Sequence, residues 1–300
     1  MEASRATTAG SLPAHGVRQV AADLFALTKP KVQLLLLLTT VTTMLVAGTP
    51  SLGLILATCV GGYLSAGGAG AINHWYDRDI DAQMARTASR PVPSGRLAPG
   101  TALGFGLVLG ALSFAWLAAT TNLLAALLSF SGFVGYTLMY TMWLKRRTWQ
   151  NIVWGGAAGA VPPLVGWAAV TGGLSGLPVY LFAVVFFWTP PHFWALSLLM
   201  KDEYAKVGVP MLPVVRGEDD TRRQILLYSV LLYAVTQLPF CAGGLGTIYL
   251  VASLALGGTL IGLAVVLQRR ADRRSALRVY LFSLLFLALL FVAMVADVKL

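Results

Sequence analysis

Asn73, Asp77 and Asp81 are spaced four residues apart at the end of a long apolar run. On a helix they fall along one stripe, with Asp79 turned to the opposite side. Carboxylates stacked in this way repel one another unless a cation bridges them. Carboxylate and amide oxygens select a hard ion, and Mg²⁺ is characteristically held by one or two carboxylates together with substrate phosphate oxygens. The stripe therefore reads as half of a metal–diphosphate site. The alternative is a solvated helix end in which Asp77 pairs with Arg78 and Asp81 with Arg86 as surface ions. Residues 67–71, Gly-Gly-Ala-Gly-Ala, weigh against it, because their lack of side chains lets a helix or a bulky ligand come close beside the stripe.

A second cluster lies far along the chain. Trp188-Thr189-Pro190-Pro191-His192-Phe193-Trp194 precedes Lys201-Asp202-Glu203-Tyr204 by a turn or two of helix. Paired prolines predict a break in the helix, with freed carbonyls facing a cavity. His192 follows that break and is either a functional intramembrane histidine or a core histidine bonded to a carbonyl. A third cluster, Lys145-Arg146-Arg147, reads first as a topology determinant and second as an anion site.

The elements that must position these residues follow from the charges. Of 300 residues 57% are hydrophobic and 11% charged, too few charges to cover a soluble domain, so soluble, disordered and disulfide-framework classes are excluded. Cys59 and Cys241 both lie in apolar runs and support neither a disulfide nor a cysteine metal site. Nucleic acid is not an expected partner; the partner is the lipid bilayer. Charge-free intervals cover residues 32–76, 97–144, 148–200, 224–268 and 279–296. A span needs about 20 apolar residues, so four intervals hold two helices each and the last holds one. The expectation is an all-α, polytopic membrane protein of nine spans around a central cavity: a mobile arm over residues 1–22 and a single domain over 23–300. Turn residues at 48–51, 120–122, 172–176 and 243–246 carry no charge, and all other connections do. One side thus collects 21 of the 22 basic residues, and the positive-inside rule makes that side, with the N-terminus, cytoplasmic and the C-terminus external. Eleven of the 12 acids lie on the same side, where topology gives them no reason to be. The second and sixth spans therefore end in one layer, each carrying acids, as in a duplicated design.

Asn73-x-x-x-Asp77-x-x-x-Asp81 at the end of the second of nine helices resembles the first aspartate-rich motif of the UbiA superfamily of intramembrane prenyltransferases. The strings from Tyr76 to Asp81, Asn151-Ile152-Val153 with Pro162-Pro163, Trp188 to Trp194, and Lys201-Asp202-Glu203-Tyr204 with Pro210-Met211-Leu212-Pro213 are similar to its haem-farnesylating branch, over about residues 25–295. The resemblance implies transfer of farnesyl from farnesyl diphosphate to a vinyl group of haem B, with addition of water, giving haem O and diphosphate in a bacterial cell membrane. It implies a Mg²⁺ cofactor and a downstream haem-modifying enzyme as a partner. Asn73, Asp77 and Asp81 would hold metal and diphosphate, with Asp202 or Glu203 supplying a second carboxylate; the branch favours the acid directly before the tyrosine, Glu203. Arg78, Lys145, Arg146, Lys201 and Tyr204 would contact diphosphate. Tyr136, Tyr140, Phe193 and Trp194 are positioned by type to face an allylic cation. His192 and His74 are candidates for haem iron or for the water, and Arg86 and Arg90 for the haem propionates. Two rival readings are a sister enzyme acting on an aromatic or quinone precursor and a transporter, the latter disfavoured because no acid lies near a span's midpoint.

Overall fold

A computed structural model describes residues 16–300. Among the described residues, nine helices are long and apolar enough to cross a membrane: Pro30–Ala47, Leu52–Tyr76, Pro99–Thr120, Leu123–Leu144, Asn151–Thr171, Gly176–Leu199, Gly217–Cys241, Thr247–Arg270 and Arg273–Lys299. They are numbered here as spans one to nine. The uncharged turns fall where turn chemistry put them. Ser51 and Asn122 cap spans two and four by accepting from the Leu54 and Ala125 amides, and Gly172 ends span five in a left-handed conformation. The ninth span packs on the first and the sixth, joining the two ends of the chain.

The small residues of span two do what their size allows. A Cβ on Gly68 would stand 2.7 Å from the Gly106 carbonyl oxygen, and one on Gly106 would stand 2.8 Å from that of Gly68, so spans two and three touch backbone to backbone. This contact fixes the rotation of span two, and with it the direction of the acidic stripe at its end.

Two local expectations are corrected. Span six runs unbroken through Pro190 and Pro191. The prolines remove two donors, but the helix is pinned around them by Trp188 Nε1 donating to the Ser283 carbonyl at 2.7 Å and Thr189 Oγ1 donating to that of Val185 at 2.9 Å. The irregular backbone lies elsewhere. Span five is interrupted at Ala160-Val161, ahead of Pro162-Pro163, and the last stretch of span four, Gly135–Leu144, winds as a wider π-helix. Part of the expected arm of residues 1–22 is helical. Residues 1–15 lie outside the described residues, but Val17–Leu27 is a helix. It is docked through Leu27, buried with Ala71, Val92, Leu97 and Ala102, and through Asp23, whose carboxylate accepts from Arg96 Nε at 3.1 Å.

Candidate active site

The stripe forms as its spacing requires. Span two ends at Tyr76, and a short helix, Arg78–Asp81, carries the direction on, leaving Asn73, Asp77 and Asp81 buried and Asp79 exposed. Asn73 Nδ2 donates to Asp77 Oδ2 at 2.7 Å and to Thr141 Oγ1 at 3.2 Å. Each member then meets a cation from a different element. Lys29 Nζ donates to Asn73 Oδ1 at 2.6 Å, Lys145 Nζ to Asp77 Oδ2, and Arg90 Nη1 to Asp81 Oδ2 at 2.6 Å. Arg146 clasps Asp79 through two bonds of 2.7 Å and reaches Asp77 Oδ1 at 3.3 Å, its guanidinium 4.7 Å above the Tyr76 ring. Lys145-Arg146 thus serve the site as well as the topology.

The π-helical stretch matters here, because it brings Thr141 to Asn73 of span two, Tyr140 to Gly155 of span five and Tyr136 to Lys29. Tyr136 and Tyr140 stand with ring centroids 5.4 Å apart, and Lys29 Nζ lies 3.4 Å from the Tyr136 hydroxyl.

The second cluster is partly drawn into the same site. Burial pushes the Tyr204 phenol up; Arg86 and Arg90 oppose the shift and Glu203 and Asp77 add to it, so groups from the two halves share one electrostatic environment. Glu203 Oε2 is buried without a hydrogen-bond partner, while Asp202 is exposed. That orphaned oxygen is an open ligand position of the type a hard cation takes, and it separates the two acids that spacing alone left equivalent. Among the described residues no three Asp, Glu, His or Cys converge tightly enough to hold a metal on their own. Asn73, Asp77 and Asp81 offer oxygens of the kind a hard ion takes when phosphate oxygens complete its shell.

Four other expected residues make no bond to the cluster around the stripe. Arg78, one position past Asp77, turns away from the stripe, is exposed and donates to the Trp75 carbonyl at 2.7 Å. Lys201 Nζ pairs with Glu218 at the start of span seven at 2.9 Å. Trp194 is fully buried against Tyr228 in the contact of spans six and seven. His192 lies two turns short of the charged end of span six, stacked between Trp188 and Tyr280 at 4.4 and 4.9 Å, its Nδ1 hydrogen-bonded to Ser283 Oγ at 2.7 Å. Its ring is thus oriented by spans six and nine, with Nε2 left without a hydrogen-bond partner. Phe193 is partly exposed beside it. His74 is buried next to Asn73 with Nδ1 unpartnered, and Arg86 is exposed on the loop after the stripe.

Lys29 is the residue that sequence reading missed, having been counted only as a topology charge. Burial lowers its ammonium to about 8, with Arg90 adding to that and Asp77 and Asp81 opposing it. The available signal was Lys-Pro at a helix start facing a Gly-x-x-Gly stripe, Gly67 and Gly70, on which Thr28 and Lys29 rest.

The model of the UbiA prenyltransferase family matches residues 36–290. The chain belongs to this family. Curated relatives include protoheme IX farnesyltransferases of Symbiobacterium thermophilum, 55% identical over 93% of this chain and 95% of the relative, and of Chloroflexus aurantiacus, 53% identical over 97% of this chain. The chain spans about half the length of the Chloroflexus relative, 50%. Among solved structures, digeranylgeranylglyceryl phosphate synthase aligns with a TM-score of 0.77 over 93% of this chain and 99% of its own, at 18% identity. A UbiA homologue from Archaeoglobus fulgidus bound to GPP and Mg²⁺ aligns with a TM-score of 0.69 over 91% of this chain and 99% of its own, also at 18% identity. At such identities these structures establish the UbiA fold alone.

Proposed function

We propose that the chain transfers a farnesyl group from farnesyl diphosphate to a vinyl group of haem B, with addition of water, giving haem O and diphosphate. The observation that carries this is the acidic stripe of span two, buried at the charged end of an apolar helical body and faced there by Lys29, Arg90, Lys145 and Arg146. The name of the Symbiobacterium relative, aligned nearly end to end, supports the choice of acceptor. Asn73, Asp77, Asp81 and Glu203 would hold Mg²⁺, which would supply charge neutralisation to the departing diphosphate. Lys145, Arg146, Arg90 and Tyr204 bind the phosphate oxygens, and their fixed charges stabilise the negative charge that grows as the allylic carbon–oxygen bond breaks.

The electron pair of that bond leaves with diphosphate, the allylic carbon bonds to the vinyl terminus, and water adds to the other vinyl carbon, its proton passing to diphosphate or solvent. Tyr136 and Tyr140 present ring faces to the allylic cation beneath the phosphates. His192, with Nδ1 committed to Ser283, presents Nε2 to the water or the haem iron, and Arg86 on the loop pairs with a propionate. The charged end is the cytoplasmic one.

Purified protein given farnesyl diphosphate, haem B and Mg²⁺ forms a pigment whose mass equals haem B plus a farnesyl group and a hydroxyl group. The product disappears with EDTA. Prenylation of an aromatic acid in place of haem, or no product at all, would overturn the assignment.

A further inference from the structure

Lys29 differs from the other cations of the stripe. Lys145 and Arg90 each meet a carboxylate, whereas Lys29 is bonded to the neutral Asn73 amide oxygen and to the Tyr136 hydroxyl. A half-buried ammonium hydrogen-bonded only to neutral partners is costly, so the fold must hold it there. It does so with unusual backbone. Lys29 has φ 53° and ψ 56°, left-handed and directly before Pro30, and Lys29 and Ala271 are the only non-glycine residues with positive φ among those described. The corner rests on Gly70, where a Cβ would stand 3.0 Å from the Leu27 carbonyl oxygen and 3.6 Å from Lys29 Cγ. Two of the three ammonium donors are used, leaving one to take a phosphate oxygen.

We propose that Lys29 contacts the substrate diphosphate and, in the ligand-free protein, occupies the oxygen of Asn73 that the metal takes, so that metal and prenyl diphosphate bind as a thermodynamically coupled pair. This rests on the reading of the stripe as a metal–diphosphate site. The charge balance gives the reason. The bonded cluster sets Lys29, Arg90, Lys145 and Arg146 against Asp77, Asp79 and Asp81, one positive charge in excess. A divalent ion alone raises that excess and must displace Lys29 with nothing to receive it. A prenyl diphosphate alone brings its charge against the stripe acids. Together they bring the cluster close to neutrality, and Lys29 exchanges Asn73 for a phosphate oxygen. By linkage, each ligand tightens the other by the same factor.

The test uses the full chain in detergent, Mn²⁺ as a spectroscopic metal and farnesyl thiolodiphosphate as an analogue that ionises poorly. Mn²⁺ binding is read by electron paramagnetic resonance, and analogue binding by calorimetry. In the native protein the analogue tightens Mn²⁺ binding by about tenfold or more, within the usual range of coupling between sites. Lys29→Met strengthens the binding of Mn²⁺ alone, weakens the analogue and shrinks the coupling to about twofold. Lys29→Arg, which keeps the charge, restores the analogue's affinity and so separates a lost contact from a misfolded site. Equal Mn²⁺ affinity with and without analogue, or unchanged coupling in Lys29→Met, overturns the inference while leaving the diphosphate site standing. No analogue binding under any condition overturns both.

Discussion

Asp77 and Asp79 are two residues apart and carry the same charge, yet the fold gives them different work. Asp77 is fully buried, bonded to Asn73 and Lys145 and within 3.3 Å of Arg146, whereas Asp79 is exposed and paired only with Arg146. Asp77→Asn is therefore expected to lower haem O formation by about 10²- to 10³-fold, the range for removing one fixed stabiliser of developing charge. Asp79→Asn, a solvated pair, changes it by roughly threefold at most. Both are measured as kcat with haem B and farnesyl diphosphate. Hydrogen bonding from Arg146 holds the Asp79 carboxyl below its ordinary range, so Asp79 stays ionised at neutral pH in the Asp77→Asn variant. His192 is argued from its orientation. His192→Gln is expected to reduce haem O formation by about 10²-fold, as for a positioned proton-handling group, with farnesyl diphosphate affinity unchanged in a direct binding titration. Equal product yield would assign His192 to packing between Trp188 and Tyr280 alone.

At the scale of elements, two glycines that look alike in the sequence separate by what they touch. Gly68 faces the backbone of span three, so Gly68→Ala must push two helices apart. The expected outcome is a loss of about 1–3 kcal/mol, the cost of overpacking, seen as a lower unfolding temperature in detergent. Gly155 faces the ring of Tyr140, a side chain that can turn. Gly155→Ala is expected to leave the unfolding temperature nearly unchanged while displacing Tyr140 from the site, lowering kcat more than farnesyl diphosphate affinity. The helical irregularities follow the same logic. Proline pairs mark where a donor is missing, but packing decides whether the helix yields: span six, bonded to span nine through Trp188 and Ser283, continues through Pro190-Pro191, while span five opens just before Pro162-Pro163. No residue type announces the π-helix of span four, because it arises from accommodating Tyr140 against Gly155 and Thr141 against Asn73.

For the whole molecule, charge decides orientation. With both native cysteines replaced, a cysteine placed in the loop after Asp81 should resist a membrane-impermeant thiol reagent in intact cells, while one in the turn at residues 243–246 should react. The reverse pattern would place the charged face, and with it the site, outside.

Hydropathy and charge are written locally, so nine spans, their turns, the charged end and the acidic stripe were legible in the sequence. A span must be apolar along its own length, and a stripe needs only a regular helix. What the sequence left open is which cation meets which acid, which of Asp202 and Glu203 turns an oxygen out of solvent, where His192 points and that Lys29 lies against Asn73. Each depends on contacts between residues far apart in the chain: Lys29 is 44 positions from Asn73 and Lys145 is 68 from Asp77. Those pairings are set by the rotation of packed helices about one another, and that rotation is fixed by backbone contacts such as Gly68 on Gly106, which belong to tertiary structure alone.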